Sequence, residues 1–127
     1  MSYYYSRKVK LPFEKAIEVV TEALQKEGFG ILTQIDVKAT LKKKLDVDFR
    51  PYIILGACNP PFAYKALQAE DKVGIMLPCN VIVQEKENEV EIAAVDPVAS
   101  MQAIDNPKLG EIANEIRQRL LRVIDSL

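Results

Sequence analysis

The sequence predicts an α+β fold: a single domain over residues 1–127, with a largely antiparallel sheet, helices packed on it and a long C-terminal amphipathic helix. Three observations carry this. Strand-like and helix-like stretches are mixed without the regular alternation of βαβ units. The runs Val81 to Glu85 and Val90 to Val95 flank a tight turn at Glu87-Asn88, which reads as a hairpin. The last stretch places Leu109, Ile112, Ala113, Ile116, Leu120, Val123 and Ile124 at helical spacing, opposite a charged face.

Taken in order, Tyr3 to Leu11 alternates, with Tyr3, Tyr5, Val9 and Leu11 on one side, so it reads as a half-buried strand. Pro12 ends it and suits a helix start. Phe13, Ala16, Ile17, Val20 and Leu24 give a helix to about Glu27, with Gly28 as its C-cap. Phe29 to Ile35 is a second strand. Asp36 caps a short helix ending in Lys42-Lys43-Lys44, where the helix dipole favours cations. Pro51 opens a third strand, Tyr52 to Ala57, and Asn59 caps a helix that begins Pro60-Pro61. Val73 to Leu77 reads as a short fourth strand stopped at Pro78. Asp96-Pro97 and Asn106-Pro107 each start a helix. The expected core is Ile17, Val20, Leu24, Ile54, Leu55, Val83, Ile92, Ile116 and Leu120. The Tyr3-Tyr4-Tyr5 run puts aromatic rings on both faces of the strand, one set for the core and the other for a partner.

Composition narrows the function classes. With 17 basic and 18 acidic residues the net charge is −1, which gives no pull toward nucleic acid or anionic membranes. There is no His, so the commonest general base and zinc ligand are missing. No apolar run approaches the roughly 18 residues of a membrane span. Met1 to Arg7 lacks the apolar core of a signal peptide, so a cytoplasmic location with reduced cysteines is expected. No phosphate loop, nucleophile elbow or GxGxxG is present.

The strongest candidate site is a pair of matching motifs. Ile53-Ile54-Leu55-Gly56-Ala57-Cys58-Asn59-Pro60-Pro61 and Ile75-Met76-Leu77-Pro78-Cys79-Asn80-Val81 each join an apolar run to Cys-Asn beside a proline. Both cysteines lie at strand boundaries, so Cys58 and Cys79 are expected to meet at one end of the sheet. Cys58 precedes a helix start, whose N-terminal field would make it the more acidic thiol. Such a pair could be redox-active, ligate a soft metal, or be small core residues; two thiols without His make an incomplete zinc site. Asn59 and Asn80 would satisfy backbone groups nearby. Asp36 and Asp96 are helix caps, or acids on a ligand-binding rim.

These motifs, with Gly28-Phe29-Gly30-Ile31-Leu32-Thr33, Ile35-Asp36-Val37-Lys38-Ala39-Thr40 and Asp96-Pro97, resemble the bacterial and archaeal domain-of-unknown-function 302 family over nearly the whole chain. The resemblance implies a small α+β domain, a homodimer and no established activity. It carries Asp36, Lys38, Cys58, Asn59, Pro60, Pro78, Cys79 and Asp96 as characteristic positions without roles. The expected function is therefore a cytoplasmic module with a pocket around Cys58 and Cys79 that binds a small ligand or metal, or undergoes thiol redox chemistry. Asn59, Asn80, Asp36, Lys38 and Asp96 complete the candidate ligand-binding set. The alternative is a structural module acting through a dimer face. Neither reading identifies a reaction or a cofactor.

Overall fold

The computed structural model describes residues 2–127. The strands β1 (Tyr4–Val9), β2 (Gly30–Asp36), β3 (Tyr52–Cys58), β4 (Cys79–Lys86) and β5 (Glu89–Val95) form one antiparallel sheet in the order β1-β5-β4-β3-β2. The helices are α1 (Phe13–Lys26), α2 (Val37–Leu45), α3 (Pro60–Ala69), α4 (Pro97–Ser100) and α5 (Pro107–Asp125). This is the expected α+β architecture, with the long amphipathic helix last.

Local chemistry explains the punctuation. Gly28 takes φ +87° after α1, and its N–H and that of Phe29 bond back to the Gln25 and Leu24 carbonyls. That double closure needs a left-handed residue, which glycine supplies without strain. Asp36 caps α2 by accepting from the Ala39 N–H at 2.9 Å. Glu87 and Asn88 are both left-handed (φ 54° and 64°), which matches the twist of the β4–β5 hairpin.

Register decides which side chains enter the core. Leu55 lies opposite Val81, Ile53 opposite Val83, and Val83 opposite Ile92. Directly opposed residues share a face of the sheet, and this face packs on α1 and α5 through Val20, Leu24, Ile116 and Leu120. Seven of the nine expected core residues are buried in this cluster. Ile17 packs against it half-buried. Ile54 does not join: Ile53 takes the inward position, and Ile54 sits on the other face opposite Ile82 and Ile35. A second, smaller cluster joins Ala66, Val73, Met101, Leu109 and Ala113, where α3 and α4 pack on α5.

One expected element is absent among the described residues. Val73 to Leu77 is no strand; Val73–Met76 is a single 3-10 turn. Both edges of β3 are already occupied, by β2 and by β4. The segment pairs with no strand; it buries Val73 alone and leaves Ile75 in solvent. The strand that follows starts earlier than its apolar pattern indicates, at Cys79.

Candidate functional site

β3 ends at Cys58 and β4 begins at Cys79, so one end of the central strand pair carries both thiols. Ala57 pairs with Cys79. Cys58 is then one step off register. Strand spacing and rise put the two Cα atoms roughly 6 Å apart. Both cysteines are free. Cys79 is buried, and that burial, followed by the charge of Cys58, pushes its thiol from 9.0 up to about 11. Cys58 is half-buried.

Both thiols line a cavity of about 280 Å³ between the ends of β3 and β4, α3 and α5. Its origin lies in side-chain size. Ala57, Ala63, Ala66 and Ala113 face the space and are too small to fill it. It sits where the two apolar clusters meet, and Ile112 packs against both. The walls are nearly all apolar. Leu32 and Leu67 form part of the lining while remaining exposed, so the cavity opens to solvent between them. Leu32 falls where the β2–β3 register breaks between Ile31 and Thr33, and such irregularities redirect a side chain.

Asn59 is the one amide among the lining side chains and is only 6% exposed. It occupies the cap position of α3 but makes no capping bond with its side chain. Its Nδ2 instead donates to the Glu27 carbonyl at 3.2 Å. Arg119 donates to the same carbonyl at 3.0 Å. A Cβ at Gly28 would lie 3.0 Å from Asn59 Nδ2, so glycine also leaves this amide its place. The expected helix field at Cys58 is weakened by sequence: Pro60 and Pro61 have no N–H, which leaves Phe62 as the first donor of α3.

The other predicted residues lie elsewhere or are committed. Asn80, the second residue of β4, belongs to the opposite face of the sheet with Ile82 and Tyr52. Asp36 and Lys38 lie at the far end of β2, roughly 20 Å from Cys58 by strand rise. There they border a shallow depression with Pro12 and Tyr52. Asp96 is buried and fully used. Its Oδ1 accepts from the Val98 N–H at 2.9 Å and its Oδ2 from the Tyr5 hydroxyl at 3.0 Å, while Arg117 donates to the Tyr5 oxygen at 2.6 Å. Its neighbour Pro97 lines the cavity. The lining residues Phe62, Met101, Ile112 and Ile116 were not among the site candidates, because in sequence they read as ordinary core positions.

A family model, the domain of unknown function DUF302, matches residues 5–127. The chain belongs to this family. The DUF302 fold is seen again in a crystal structure of an uncharacterized conserved DUF302 protein from Bacillus stearothermophilus, 33% identical, with a TM-score of 0.92 over 98% of both chains. No curated protein matches. Among the described residues of this DUF302 chain no helix is long and apolar enough to cross a membrane.

Proposed function

We propose that the chain is a cytoplasmic module that binds one small, largely apolar molecule in the cavity walled by Cys58 and Cys79. The observation that carries this is the cavity itself: about 280 Å³, apolar, and open at Leu32 and Leu67. A dry cavity of about 150 Å³ holds one benzene, so this one matches a ligand of about ten non-hydrogen atoms. The thiols supply polarizable, weakly donating wall. Among the described residues no three His, Cys, Asp or Glu side chains gather as a metal site, which favours the small-ligand reading over a metal. Naphthalene, a bicyclic hydrocarbon of the matching size, is expected to raise the melting temperature of the native protein by a few degrees near saturation. Ala63→Leu, which fills the space from α3, is expected to abolish that rise. No naphthalene effect on the native protein, or an equal effect on the filled variant, would refute the reading.

A second reading concerns assembly. The sheet face left open by α1 and α5 carries Tyr4, Tyr52, Ile54 and Ile82, and its charges are locally paired through Lys8–Glu89 and the chain Arg50–Gln84–Glu91. Five strands present about 24 by 20 Å of flat area, roughly 480 Å² per copy before side-chain relief, at the small end of specific interfaces. A second copy of this chain fits such a neutral, aromatic face. Sedimentation is expected to give twice 14.3 kDa for the native chain and 14.3 kDa for Ile82→Glu; a native monomer at high micromolar concentration contradicts it.

A further inference from the structure

We infer that the cavity's ligand carries a hydrogen-bond donor, a hydroxyl or an N–H, which Asn59 accepts through Oδ1. This rests on the ligand-binding reading above and adds the chemistry of the ligand. The orientation of the Asn59 amide is fixed from behind. Its Nδ2 faces the Glu27 carbonyl, and turning the amide over would set its oxygen against that carbonyl oxygen. The carbonyl is held in place by a second donor, Arg119, whose Nε is bonded to Glu115 at 3.2 Å. Among the described residues no donor is bonded to Asn59 Oδ1, yet no fully buried side-chain oxygen or nitrogen lacks a partner. Oδ1 therefore keeps some accessible surface although the residue as a whole is only 6% exposed.

The rest of the lining sets the direction of the bond. Apart from Asn59, the side chains around the cavity are apolar or thiol. Thiols are weak donors. A ligand bearing only acceptors, such as an ether or a ketone, could take at most the second hydrogen of Asn59 Nδ2 and would leave Oδ1 without a partner. A carboxylate would lose its hydration with no cation in the lining to replace it. A largely apolar alcohol, phenol or indole-type molecule satisfies itself and Asn59 together. Because the amide is already anchored, little ordering is needed when the ligand arrives.

Indole and benzofuran test this, since they share size and shape and differ in an N–H against a ring oxygen. Native protein is expected to bind indole about fivefold more tightly than benzofuran, as one neutral hydrogen bond provides. In Asn59→Ala the preference is expected to disappear. Equal affinities for the two in native protein, with naphthalene still binding, would overturn the donor assignment and leave the cavity reading standing. Failure of all three molecules to bind overturns both. The native comparison decides the matter even where Asn59→Ala folds poorly. A preference for indole that persists in a folded Asn59→Ala would assign the donor's partner elsewhere and refute Asn59.

Discussion

Truncating Ile116 to alanine is expected to lower the unfolding free energy by about 2–5 kcal/mol. Ile116 is 7% exposed and belongs to the main core with Val20, Leu24 and Leu120. The cost has two parts: the lost transfer of the removed methyl and methylene groups from water, and the void left where the surroundings do not collapse. The second part comes from the core side of Ile116, since on its other side the residue lines a cavity that already opens to solvent. Leu32, on the cavity lip and 66% exposed, provides the contrast: Leu32→Ala should stay within about 0.5 kcal/mol. Urea unfolding measures both, with an unchanged denaturant slope showing that the native surface is retained. A loss under 1 kcal/mol for Ile116→Ala would mean that this helix face is not packed as described.

The parts of the fold that could be read from the chain are those where pattern and punctuation agree. The α5 stripe, the Gly28 closure, the Asp36 and Asp96 caps and the Glu87-Asn88 turn each rest on a local rule, and local rules suffice there. Ile53-Ile54-Leu55 has no alternation, and a one-residue shift exchanges its faces. Only pairing with β4 assigns Ile53 inward, and that pairing is not local. Val73 to Leu77 has strand-like composition, but its state depends on whether a sheet edge is free. The two Cys-Asn motifs look alike in sequence and differ in structure for a physical reason. Asn59 follows the last residue of β3, where the chain leaves the sheet, whereas Asn80 lies inside β4 and alternates to the opposite face. The meeting of Cys58 and Cys79 was legible from strand ends and prolines. A pocket beside them was expected too, but its alanine wall was not legible, since it needs the small residues of α3 and α5 to face each other across space.

The wild-type protein is expected to lose about 2 kcal/mol of stability relative to Cys79→Ala as pH rises from 9 to 11. The thiol of Cys79 is 8% exposed at the residue level, and its value is raised from 9.0 to about 11, first by burial and then by the charge of Cys58. A raised folded value means that the native state keeps the proton longer than the unfolded chain does. Below pH 9 both states hold it, and the stability difference between the two proteins is flat. Between 9 and 11 the unfolded wild-type chain releases its proton while the native state cannot, so the unfolded state gains and stability falls. Above 11 both states are ionised and the difference levels off. Replacing Cys79 removes this contribution, and taking the difference cancels the tyrosines and lysines that titrate in the same range. Urea unfolding of the pair at intervals across that window, with reductant present throughout, gives the curve. In a Cys58→Ala background the fall should be smaller, because only burial then holds the proton on Cys79. A flat difference to pH 11 would show that water reaches this sulfur in the native state, and the wall between Cys79 and solvent would have to be redrawn.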